Sequence, residues 1–150
     1  PSGRFIKVNE TTKNNLKVWL NKNKMISDLI DIKDAKVINV GFDFEFVVSS
    51  RYNRDSVLAS VNEKMIDFFS TKLYIGEPIY ITDIYQMINK TDGVVDTIKV
   101  HPKVMNGSDY SQLSIEIEHI LSKDGTYIKT PSNCILEVKY PTIDIKGVIV

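Results

Sequence analysis

The strongest pattern in the chain is an alternation. Val40, Phe42, Phe44, Phe46 and Val48 are apolar, and Gly41, Asp43 and Glu45 between them are not; Val47 is the exception. Successive side chains of a strand point to opposite faces, so this stretch reads as a strand with one strongly apolar face, over residues 35–49. A strand with one wet face belongs to a sheet covered on one side, hence antiparallel or mixed. The span exceeds an average strand, which leaves room for a bend or bulge. Phe42, Phe44 and Phe46 are assigned to the core.

Helical spacing flanks this strand. Leu16, Trp19 and Leu20 share one face of a helix over 11–21, with Thr11 or Thr12 as its cap. Apolar residues at 25, 26, 29 and 30 predict a further short helical turn within 25–32. After a turn at 50–53, capped by Asn53 or Asp55, a longer helix runs over 54–72. Val57, Leu58, Val61, Met65, Phe68 and Phe69 are its stripe, and Asn62, Glu63, Lys64 and Asp67 its wet face. Gly76 and Pro78 interrupt the following apolar stretch. A short helix over 84–89 then presents Ile84, Met87 and Ile88, with Thr82 or Asp83 as its cap.

Strands dominate thereafter. Asp92-Gly93 is a turn before a strand over 94–104, with Asp96, Ile98, Val100 and Val104 on one side and Thr97, Lys99, His101 and Lys103 on the other. Asn106, Gly107, Ser108 and Asp109 form a loop. Alternation predicts strands over 113–120 and 134–140, and the apolar end of 143–150 reads as a last strand that pairs here or in a neighbour. Helices first and strands later give an α+β fold: a mixed or antiparallel sheet packed by amphipathic helices, with a strand-rich C-terminal lobe. Residues 1–104 form the helix/strand part; 105–150 form a β-rich lobe, or part of the same domain.

Charge narrows the functional classes. Nineteen basic residues balance nineteen acidic ones. A general nucleic-acid binder carries a basic excess, because phosphate contacts supply most of its affinity. No apolar run approaches the ~20 residues of a membrane helix. The chain opens on Pro1, not methionine, and is read as a piece of something longer.

Candidate chemistry is sparse. His101 and His119 lack the spacing of a zinc helix, and no phosphate-binding glycine loop is present. Cys134 alternates with Leu136 and Val138 and reads as a small buried residue. Asp43 and Glu45, two apart on one strand face, fit a carboxylate pair for acid–base work with His101, or simply a solvated face. Seven tyrosines suit interfaces, being apolar with a polar tip.

One succession is more specific. A helix ending in Asp67-Phe68-Phe69 is followed by Ile75-Gly76-Glu77-Pro78-Ile79, then Thr82-Asp83-Ile84-Tyr85-Gln86-Met87-Ile88, then Asp92-Gly93-Val94-Val95-Asp96. It resembles the J-like baseplate wedge proteins of contractile-tailed, T4-like bacteriophages, in their C-terminal region. The likeness covers residues 10–104; beyond Tyr110 it is one of general character. It implies a structural virion component of the tail baseplate, made late in the host cytoplasm. It also implies partners: the chain itself, as a homodimer, and other wedge proteins joined into a ring. No catalytic residue is carried over, because the motif has none.

The resulting expectation is a non-enzymatic assembly protein, with no cofactor, metal, nucleic acid, membrane or small-molecule substrate. The alternative is a receptor- or glycan-binding module using exposed tyrosines. The residues expected at protein interfaces are Tyr74, Ile75, Tyr80, Ile84, Ile143, Ile145, Val148 and Val150.

Overall fold

The alternating segment becomes one long strand, β1 (Lys36–Val48), in the computed structural model, which describes residues 5–150 except Ile26, Lys72 and Ser114. Around it, in chain order, lie α1 (Glu10–Asn21), α2 (Arg54–Ser70), β2 (Ile79–Tyr80), α3 (Ile81–Asn89), β3 (Val94–Val104), α4 (Ile117–Ile120), β4 (Tyr127–Ile128), β5 (Cys134–Glu137), α5 (Pro141–Asp144) and β6 (Ile145–Ile149). The protein is a mixed α+β fold with a strand-rich C-terminal region.

Every pairing in the four-stranded main sheet runs through β1. β3 is antiparallel to it along one edge, from Val40 opposite Val104 to Val48 opposite Val94. On the other edge, β5 pairs in parallel with Lys36–Asn39 and β6 in parallel with Phe42–Phe46. The sheet is therefore mixed, and its strands come from both halves of the chain. β2 and β4 form a separate antiparallel pair.

The phenylalanine face of β1 carries the core. Phe42, Phe44 and Phe46 are buried beneath α2 and α3, and Phe69 of α2 stacks on Phe42 with ring centroids 4.8 Å apart. α2 starts where Asn53 Oδ1 accepts the Ser56 N–H (3.1 Å), and it buries Val57, Val61 and Met65. α3 begins three residues earlier than its sequence cap predicts. Ile81 joins Ile84 and Ile88 on the buried stripe, and its N–H is taken by Thr126 O (2.8 Å), a partner supplied by a distant loop.

Three expectations fail for identifiable reasons. A bulge between Glu45 and Phe46 skips Ile98, so the core-facing set of β3 is Thr97, Val100 and Pro102, while Asp96 and Ile98 are exposed. The segment 113–120 forms no strand among its described residues and ends in the helical turn α4; both edges of β1 are already occupied, so its half-buried Leu113, Ile115 and Ile117 pack without a ladder. The short helix expected in 25–32 is absent among its described residues, where Met25 and Leu29 are exposed; Ile26 lies outside them. A single turn with nothing to pack against does not sustain itself.

The two short parallel strands leave a mismatch. β1 advances only from Asn39 to Phe42 while the facing chain advances from Glu137 to Ile145. The surplus is coiled into α5, which presses on β1 at Gly41: a Cβ there would lie 2.7 Å from the Asp144 carbonyl oxygen. That neighbour is backbone and cannot swing away. Gly41→Ala is expected to destabilise the fold by about 1–3 kcal/mol. In thermal unfolding this should lower Tm by roughly 2–12 °C.

Candidate interaction surface

α1 is formed by local signals. Asn9, not Thr11 or Thr12, is its cap, with Oδ1 accepting the Thr12 N–H (2.8 Å), and Glu10 sits favourably in the first turn. It buries no residue fully, and among the described residues most of its apolar stripe is left open: Leu16 is 46% exposed and Trp19 61%, with Leu20 half-buried. What ties the helix to the chain is charge. Lys13 Nζ bonds Asp34 (2.8 Å) and Glu10 (3.1 Å), and these carboxylates raise the lysine pKa above its ordinary value.

Beside α1 opens a groove of about 1170 Å³. The extended arm 5–8 and Leu16 line it, as do Leu73, Tyr74 and Ile75 and the sheet residues Val37 and Ile135. The groove also reaches a buried polar network. Glu137 accepts the Phe5 N–H and the Asn39 amide N–H, each at 2.9 Å, and Asn39 Oδ1 accepts the Ser111 N–H (2.7 Å). This places a carboxylate and an amide inside the sheet with their hydrogen bonds met, as burial requires. It also fixes the arm and the 105–113 loop against β1.

The turn bearing Tyr74 and Ile75 is set by Gly76, whose φ of 77° suits glycine, and by the Gly76 N–H donating to Cys134 O on β5 (2.9 Å). Tyr74 and Ile75 are exposed on the groove, and Tyr80 is exposed beside Tyr127, ring centroids 5.9 Å apart. Ile143, Val148 and Val150 are exposed near the β6 edge. Ile84 and Ile145 are corrections: the first is fully buried on α3 and the second turns into the core, so both serve packing. The sequence pattern gives Leu16 and Trp19 only as an ordinary helix face and puts residues 5–8 in no element. Only the lack of a covering element distinguishes them, and no local pattern carries that.

Asp43, Glu45 and His101 do share the outer face of the sheet, with Asp43 directly opposite His101. There Lys103 Nζ holds the Asp43 carboxylate at 2.6 Å, Glu45 and His101 are solvent-exposed, and none of the three lines the groove. Cys134 is buried. Among the described residues, no three His, Cys, Asp or Glu side chains gather closely enough to hold a metal ion, and no helix is long and apolar enough to cross a membrane. A scan against protein-family models and a search of curated proteins gave no match.

α5 is pinned by Asp144. This fully buried carboxylate accepts the Tyr110 hydroxyl (2.6 Å) and the Tyr140 N–H (2.8 Å). The hydrogen bond to Asp144, then burial, pushes the Tyr110 pKa up from 10.0 to about 12. A phenol held protonated by the fold stabilises it fully below pH 10, and that contribution is lost as pH rises through 12. Chemical unfolding across pH 9–12 should show the native chain losing stability more steeply than Tyr110→Phe. The variant should also be weaker at neutral pH by about 1–3 kcal/mol, with one fewer donor on a buried carboxylate.

Proposed function

We propose that this chain is an assembly module of a contractile-tail baseplate wedge, acting through protein–protein contacts. The resemblance of the 57–100 segment supplies the class. The observation that carries a binding role is the uncovered stripe of α1 beside an apolar groove, since contiguous exposed apolar surface marks sites that another molecule covers. On this reading the partners are other wedge subunits and a second copy of the chain, and the residues that meet them are Leu16, Trp19, Tyr74 and Ile75.

The alternative, a receptor- or glycan-binding module, draws on the exposed Tyr80 and its half-buried neighbour Tyr127. It is the weaker reading, because sugar-binding aromatics work from a concave site and this pair lies on a two-residue strand pair outside the groove.

Trp19 is the chain's single tryptophan and reports on α1 directly. Titration with recombinant wedge subunits of a contractile tail should shift its emission to the blue. Replacing both Leu16 and Trp19 by Gln keeps good helix formers and removes only exposed apolar surface. The double variant is expected to lose subunit binding, measured by calorimetry, with stability changed by no more than about 0.5 kcal/mol. Saturable oligosaccharide binding without any subunit binding would favour the alternative.

A further inference from the structure

The main sheet guards its edges unequally. On the outer edge of β3, the Val100 N–H is taken by the Tyr85 hydroxyl (2.9 Å), the Thr97 N–H by Asp96 (2.9 Å), and Pro102 has no N–H to offer. Proline and capped donors are how edge strands avoid pairing with foreign chains. The outer edge of β5 is met by the Gly76 N–H. β6 is covered only at its two ends. Its parallel ladder turns the N–H and C=O of Lys146, Val148 and Val150 towards β1, as the Val150 N–H to Phe46 O bond (3.1 Å) shows, so those of Ile145, Gly147 and Ile149 point outward. Two of these are used internally: the Ile145 N–H donates to Pro141 O, and Ile149 O accepts from Arg54 (3.3 Å). Ile145 O, both Gly147 groups and the Ile149 N–H have no partner among the described residues.

We infer that the outer edge of β6 receives an extended, acidic segment of a partner protein as an added strand. Two donors and two acceptors in a row are what a strand satisfies, in either direction. A second copy of β6 fits poorly. α2 lies over β6, close enough that a Cβ on Gly147 would sit 3.1 Å from Leu58. A two-fold axis through the edge would set α2 and its mate about one strand spacing apart, ~4.8 Å, where packed helices need about 8–10 Å. An extended peptide brings no helix and fits beside α2.

Charge gives the segment its chemistry. Lys146 stands exposed on the outer face, and its cross-strand neighbour Asp43 is already held by Lys103. Arg54 flanks the other end of the strand. Glu45, the exposed neighbour of Val148 on that face, stands opposite Lys99 across the other edge of β1, so Lys146 and Arg54 are the charges left over and the edge is positive; Val148 beside them is exposed and apolar. A strand alternating acidic and β-branched residues matches both. The inference rests on the reading above only in taking the partner to be a protein, and α1 plays no part in it.

The test uses the 150-residue chain and two synthetic peptides, one alternating Val with Glu and one alternating Val with Lys. Amide NMR shifts and hydrogen exchange are followed to millimolar peptide. The Glu peptide should perturb and protect the Gly147 and Ile149 amides and bind more tightly than the Lys peptide by about 2- to 5-fold. Lys146→Glu, on an exposed side chain, should reverse that order. Ile149→Pro removes one outward N–H and no β1 bond, and should weaken binding by about 3- to 10-fold. Unperturbed Gly147 and Ile149 amides in the native chain overturn the inference, as does an unchanged peptide preference in Lys146→Glu. Protection of those amides that grows with protein concentration in the absence of peptide overturns it too, by making the occupant a second copy.

Discussion

The fold depends on the pairing of one strand. β1 supplies all the hydrogen-bonded neighbours of the main sheet, and its alternate residues supply the three aromatic rings at the centre of the core. Losing that strand would remove both the backbone ladder and the apolar face at once. The remaining elements are adjustments to it. α2 and α3 cover its phenylalanine side, and α5 takes up the excess length of the chain that runs beside it. Gly41 and Gly147 mark where the α5 backbone and the Phe44 ring, respectively, come too close for a side chain.

Against that consolidated body, α1 is a contrast in kind. Its hydrogen bonds and cap are complete, yet it contributes nothing to the core and hangs on a lysine–aspartate pair whose strength salt would reduce. A helix held this way leaves Trp19 and much of Leu16 facing solvent. The buried Glu137–Asn39 network works in the opposite sense, fixing the arm just before α1 to the middle of the sheet. The arm is thus anchored by a polar contact inside the fold, and the helix that follows it is exposed along most of its length.

How much of this was legible in sequence follows the range of the forces involved. β1, α2 and β3 were read to within a residue or two because each pattern is local: alternation, a 3.6-residue stripe, an Asn cap, a Gly turn. Positions governed by distant partners were not. Ile98 falls on one side with Val100 in the sequence pattern, because a bulge is set by the facing strand and leaves no local mark. The true start of α3 depends on Thr126, and the stretch from Leu113 to Ile117 alternates like a strand but finds both edges of β1 already taken. Among interface candidates, exposure separated Tyr74 and Val148 from Ile84 and Ile145, which have the same hydrophobic character in sequence. The ion pair of Asp43 with Lys103, its diagonal neighbour across the β1–β3 ladder, follows from register and could not be read from either segment alone.

The late position of β5 and β6 has a consequence for how the chain is made. Lys36 finds its parallel partner at Cys134. With synthesis at about 5–20 residues per second, one edge of β1 waits on the order of 5 to 20 seconds after it is made. α2 and β3 emerge in that interval and can shelter a face and the other edge, but not this one. A ribosome stalled before Cys134 would therefore hold an aromatic-rich strand with an unsealed edge, the kind of surface that chaperones retain and that neighbouring nascent chains capture.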